Sequence, residues 1–170
     1  NMFGGCNSLE ELDLSNFDTS SVTNMSGMFG YCESLEKLNV SHLDTSSVTD
    51  MNAMFYGCTS LEALDVSNFD TSSVTDMRAM FADNEKLEKL DLSTFDTSSV
   101  TNMGTMFKDC TALKSLYLDN FTDAAIMTDM FKGTTSLTYL FVSHNLSTFT
   151  SLENTSWYDE KNWVQFSNLS

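Results

Sequence analysis

CTSLEALDVSNFDTSSVTDMRAMFAD, residues 58–83, decides the fold, because nearly the same string occupies residues 32–57 before it and residues 84–109 after it. The Met-Phe pair marks the period. It stands at Met2-Phe3, Met28-Phe29, Met54-Phe55, Met80-Phe81, Met106-Phe107 and Met130-Phe131, in steps of 26, 26, 26, 26 and 24. A unit this short cannot bury its own apolar edge, whereas stacking units in register buries the same column in every unit.

Within the unit the apolar columns are Leu9/35/61/87/113/137, Leu12/38/64/90/116/140, and Leu14, Val40, Val66, Leu92, Leu118 and Val142. Leu12 and Leu14 are two residues apart, which puts them on one face of a strand. Further along, Val22, Met25, Met28 and Phe29 suit a short helical turn, with Asp18, Thr19, Ser20 and Ser21 supplying capping oxygens. An extended stretch from Val22 to Met25 ahead of a single turn is the alternative. All eleven methionines fall in the columns of Met25 and Met28. Their regular place beside an aromatic reads as core filling rather than soft-metal binding.

These columns predict a repeat solenoid, leucine-rich-repeat-like, with one short parallel β-strand plus a short helical turn in each 26-residue coil. About five to six coils are expected over residues 1–143. Residues 144–170, with Phe149, Trp157, Tyr158, Trp163 and Phe166, are expected to form a C-terminal aromatic cap. Asn1 falls inside a unit, so further coils are expected ahead of it, covering Phe3, Leu9 and Leu12.

The unit C-x-S-L-x-x-L-D-L-S-x-F-D-T-S-S-V-T-x-M-x-x-M-F resembles the 26-residue repeat of bacterial surface proteins related to the BspA-like leucine-rich repeats. The resemblance implies a solenoid on a secreted or surface-anchored protein, an adhesin or host-interaction role, and an extracellular or cell-surface location. It implies no catalytic residue and no cofactor. The chain departs from the usual leucine-rich pattern at the strand asparagine, whose place is held by Phe17, Leu43, Phe69, Phe95 and Phe121.

Composition narrows the partners. The 170 residues carry 24 acids against 8 bases, a formal net charge of −16, which repels nucleic-acid phosphates and anionic lipid alike. No apolar run reaches the roughly 18–20 residues of a membrane-spanning helix. The opening NMFGGCNSLEELD has neither the basic nor the apolar block of a signal peptide. Nucleic acid and membrane insertion are therefore not expected, and the resemblance implies a partner that is a protein or glycan on a host or neighbouring cell.

Cys6, Cys32, Cys58 and Cys110 share one column with Asn84 and Thr134. A thiol, an amide and a hydroxyl can each donate to the same backbone group, whereas a disulfide or zinc site would not accept that interchange. Strand spacing of roughly 4.8 Å would also allow Cys6 to pair with Cys32, or Cys32 with Cys58. Asp44, Asp70 and Asp96, in the column of Asp18, are weak calcium candidates. Asp followed by Thr-Ser-Ser reads better as a turn cap.

No unit breaks register to build the singular constellation that catalysis needs, so a non-enzymatic module is expected. A structural spacer and a polysaccharide-active β-solenoid enzyme are the alternatives. Binding is expected on the solvent face of the strand, where the repeats disagree with one another. One exposed column runs Glu11, Lys37, Ala63, Lys89, Ser115, Tyr139; the next runs Asp13, Asn39, Asp65, Asp91, Tyr117, Phe141. Asn16, His42, Asn68, Thr94, Asn120 and His144 vary as well. The candidate ligand site is Lys89, Asp91, Tyr117, Tyr139, Phe141 and His144, where aromatics either contact a partner or fold beneath the C-terminal segment.

Overall fold

A computed structural model describes residues 1–123 and 125–142, and the backbone of 156–159 and 165–167. The described coils stack as a solenoid, and hydrogen bonds join each to the next along several lines. The leucine line carries the regular strands: β1 Lys89–Asp91, β2 Ser115–Leu118, β3 Tyr139–Val142, β4 Ser156–Asp159 and β5 Gln165–Ser167. They form one sheet in the order β1-β2-β3-β4-β5. The first four are parallel and β5 is antiparallel to β4. Leu90, Leu116 and Leu140 are paired across the ladder and all are fully buried. Of the expected cap, β4 and β5 continue this sheet, with Trp157 opposite Leu140 and Tyr158 opposite Phe141; the remainder of residues 144–170 lies outside the described residues.

The expected helical turn is replaced by a run of overlapping turns. Met28 N–H donates to the Met25 carbonyl at 3.1 Å, Gly30 to Gly27 at 3.1 Å and Cys32 to Phe29 at 3.2 Å. The intervening N–H groups leave the coil altogether. Met25 donates to Asp50 at 2.9 Å, Gly27 to Asn52 at 2.8 Å and Phe29 to Met54 at 2.9 Å. An α-helix would turn every N–H back along its own axis and leave none for the neighbour. Alternation needs left-handed residues, and they recur at Gly27, Ala53, Ala79, Thr105 and Asp129, and again at Tyr31, Gly57, Asp83, Asp109 and Gly133. Each non-glycine residue held there costs on the order of 1 kcal/mol, offset by the inter-coil bond it permits.

The extended alternative describes the segment just before these turns. Thr49, Thr75 and Thr101 each donate N–H to the corresponding threonine carbonyl of the preceding coil at 2.8–2.9 Å. Asn24, Asp50, Asp76, Asn102 and Ile126 form successive parallel bridges. Unit five keeps this line despite its two-residue deletion, since Ile126 N–H reaches the Thr101 carbonyl at 3.0 Å.

The core is a set of one-residue stacks. Phe3, Phe29, Phe55, Phe81, Phe107 and Phe131 lie ring over ring, with centroids 5.5–5.9 Å apart and planes within 18° of parallel. The methionines from Met25 to Met106 are buried beside them. Complete burial of each such side chain contributes about 1.5–3 kcal/mol. The leucine columns are not uniformly interior, however. Leu12 and Leu64 are only partly buried, on early coils whose strand line is reduced to a single bridge, Lys37 to Ala63.

Candidate functional site

The solvent face of the ladder brings together five of the six candidate residues; His144 lies outside the described residues. Lys89, Ser115 and Tyr139 are in register, as are Asp91, Tyr117 and Phe141. The Tyr117 and Phe141 rings stack at 4.3 Å with planes 3° apart. Lys89 Nζ stands 5.1 Å from the Tyr117 centroid, within cation–π range. Tyr117 thus has a ring against one partner and an ammonium against another, so a ligand meets its edge rather than a vacant face. Tyr139 is 47% exposed.

Lys89 and Asp91 also line a shallow trough of about 830 Å³ that runs back across the earlier coils. Leu12, Leu38, Ala63 and Leu64 supply its apolar surface. Lys37 and Lys89 stand in one column with the short Ala63 between them; Asp13, Asn39, Asp65 and Asp91 form the other. The aspartates are fixed by their own turns. Asp13 Oδ1 accepts Ser15 N–H at 2.9 Å, Asp65 Oδ1 accepts Ser67 N–H at 3.0 Å, and Asp91 Oδ1 accepts Ser93 N–H at 3.1 Å. Serine hydrogen bonds hold the Asp13 and Asp65 carboxyls below the ordinary value of 3.8, so both stay charged at neutral pH. The third variable column is partly structural, since the Asn68 amide donates to Val40, Ser41 and Leu43 carbonyls and the Asn120 amide to Ser93.

Asp44, Asp70 and Asp96 sit outside this trough. Each accepts both the N–H and the hydroxyl of the serine two residues on: at 3.0 and 2.7 Å for Asp44, and likewise for Asp70. Asp96 Oδ1 accepts the Ser98 N–H at 2.8 Å. The serine hydroxyl bond is the first cause of their lowered pKa values, outweighing repulsion from the preceding aspartate of the column. They act as turn caps. Among the described residues no group of three or more His, Cys, Asp or Glu is arranged to hold a metal.

The cysteine column carries hydrogen bonds. Cys32, Cys58 and Cys110 Sγ donate to the carbonyls of Phe3, Phe29 and Phe81 at 3.3, 3.2 and 3.0 Å. Asn84 Nδ2 donates to Phe55 at 2.9 Å from the same place. All four thiols are free; three are buried and Cys6 is exposed. Burial pushes the Cys58 and Cys110 thiols up to about 12. A thiol reagent should therefore modify Cys6 rapidly in the native chain, and the other three only on unfolding. Mass spectrometry of peptides labelled under native and denaturing conditions checks this, and rapid native labelling of Cys58 would contradict its packing.

Two features escape a reading by columns. The buried hydroxyls of Thr19, Thr45 and Thr71 donate to the carbonyls of Asp44, Asp70 and Asp96 at 2.9–3.0 Å and accept the N–H of those same residues at 2.8 Å. The repetition of threonine at this position was their only signal. Tyr31 and Tyr56 meet edge to face at 4.9 Å on the turn side of the coils. They are the only tyrosines before Tyr117, in columns that elsewhere hold Gly, Ala, Asp or Lys.

A family model described as Mycoplasma protein of unknown function, DUF285, matches residues 1–64 and 36–144. No curated protein matches. A leucine-rich repeat protein from Bacteroides ovatus ATCC 8483 is similar at 16% identity and a TM-score of 0.34, over 83% of this chain and 51% of the other. The chain thus spans about half the length of that solved protein.

Proposed function

Because the chain belongs to the DUF285 family of BspA-like repeat proteins, we propose that it is a non-enzymatic interaction module of adhesin type, displayed at a bacterial surface. It binds an extended segment of a partner protein along the strand face. One observation carries the reading: the open trough from Glu11 to Asp91 is continuous with the Tyr117–Phe141 stack through Lys89. Several coils contribute equivalent positions, which suits a long ligand laid across the ladder rather than a small molecule in a closed pocket. The apolar strip of Leu12, Ala63 and Leu64 provides area to desolvate, and the flanking lysines and aspartates provide orientation. The carboxylates recur at ladder positions and build no singular constellation among the described residues, which favours binding over a polysaccharide-active enzyme.

The test is a binding screen of the purified chain against immobilised extracellular proteins, run beside Ala63→Arg and Tyr117→Ser. Ala63 is exposed in the middle of the trough, so arginine there obstructs it without touching the core. Saturable binding weakened at least about tenfold by Ala63→Arg, with folding unchanged, is the expected result. Binding that neither substitution alters removes the trough from consideration, and no binding by a folded chain favours the spacer.

A further inference from the structure

A second depression, about 430 Å³, lies on the turn side of the early coils. Four of the seven glycines line it, Gly4, Gly5, Gly27 and Gly30, and Tyr31 and Tyr56 wall it. On a chain of net charge −16 its lining contains no charged side chain, and the one charge at its border is the ammonium of Asn1, which donates to the Ser26 carbonyl at 2.8 Å.

Tyr31 places a large ring on one of the recurrent left-handed turn positions. Its φ is 60°, in the left-handed region that bulky side chains rarely adopt, and its column elsewhere holds only glycine or aspartate, Gly5, Gly57, Asp83, Asp109 and Gly133, all at positive φ. It is 54% exposed, so the inter-coil bond from its N–H to the Tyr56 carbonyl at 2.6 Å, rather than burial of the ring, offsets that backbone. The ring is also held in place. It lies on Gly57, where an added Cβ would come within 3.2 Å of Tyr31 Cδ1, and against Tyr56 with planes 67° apart. The Asp83 carboxylate accepts the Tyr56 hydroxyl and raises its pKa, fixing the second ring from behind. Asn52, turned so that its amide oxygen accepts from Arg78 Nε at 2.9 Å and Nη2 at 3.2 Å, keeps its amide hydrogens as donors.

We propose that this depression is a binding subsite for a neutral pyranose sugar, with the C–H face of the sugar on the exposed Tyr31 ring and its hydroxyls on Asn52 and Ser26. An aromatic plane offers dispersion contact to the C–H face of a pyranose, and the side of the depression at Gly5 is open. Few convergent polar groups beside an apolar wall are typical of small-ligand sites. The acidic surroundings disfavour uronic or sulfated sugars.

The experiment titrates the chain with lactose, cellotriose and mannotriose, and with oligogalacturonate as the acidic comparison, by saturation-transfer NMR and calorimetry. At least one neutral saccharide should bind with Kd near 1 mM, the range of a small shallow site. Tyr31→Gly should weaken it at least about tenfold while leaving the unfolding midpoint unchanged or higher, because glycine is the relaxed residue at that φ. Tyr31→Phe should retain binding, and so should Ala63→Arg, which acts on the strand face alone. No neutral saccharide binding, equal binding of the acidic one, or full affinity in Tyr31→Gly would each overturn the subsite.

Discussion

Phe81→Ala should lower the unfolding free energy by about 3–5 kcal/mol, the range for removing a large buried aromatic. The ring is fully buried between Phe55 at 5.7 Å and Phe107 at 5.9 Å, so its loss opens a cavity that touches two coil interfaces. In a solenoid each unit is stabilised through its neighbours, and a gap in the middle weakens two of them at once. Phe3→Ala is the internal comparison. Phe3 is only partly buried and stacks on one ring of the column, Phe29, so its loss should cost under about 2 kcal/mol. Urea unfolding followed by circular dichroism reads both values. If Phe81→Ala cost no more than Phe3→Ala, the phenylalanine column would not be the spine described above.

Thr71→Val should cost about 2–4 kcal/mol although it keeps shape and volume. The Thr71 hydroxyl, 1% exposed, donates to the Asp96 carbonyl at 3.0 Å and accepts the Asp96 N–H at 2.8 Å. Valine leaves both backbone groups without their partner, at about 1–3 kcal/mol for each unsatisfied group. Thr71→Ser retains the hydroxyl and should lose under half as much. Ser72→Ala, in the same turn but exposed, removes a hydrogen bond that water can replace, and should cost under about 1 kcal/mol. The same denaturation experiment ranks the three. A Thr71→Val variant as stable as Ser72→Ala would show that side-chain bonding between coils contributes little there.

The periodicity carried most of the architecture because it depends on spacing alone. Six Met-Phe pairs and three columns of leucine or valine are enough to require stacking, whatever the conformation between them. The thiol column was legible in part for a similar reason: Cys and Asn donate to one acceptor, the Phe29, Phe55 and Phe81 carbonyls of the preceding coil, whereas the Thr134 hydroxyl is too short to reach that far and donates to Phe131 in its own turn. The conformation of the turn segment is not legible in spacing. Val22, Met25, Met28 and Phe29 have the same spacing in a helix and in overlapping turns, and only the destination of the alternate N–H groups separates the two.

The candidate site divides along the same line. Spacing placed Tyr117 and Phe141 in one exposed column, and pairing of β2 with β3 brings them together. That they stack on each other, with Lys89 over Tyr117, depends on rotamers chosen in a three-dimensional neighbourhood. The trough likewise depends on the partial exposure of Leu12 and Leu64, and Tyr31 gains meaning only from its exposure beside Tyr56. The sequence by itself determined the repeat, the strand faces and the residues offered to solvent, because side-chain period is a local property of the chain. Tertiary structure decided which backbone groups bond between coils and which ring faces remain open, because those outcomes are competitions between a residue's own turn and the coil stacked against it.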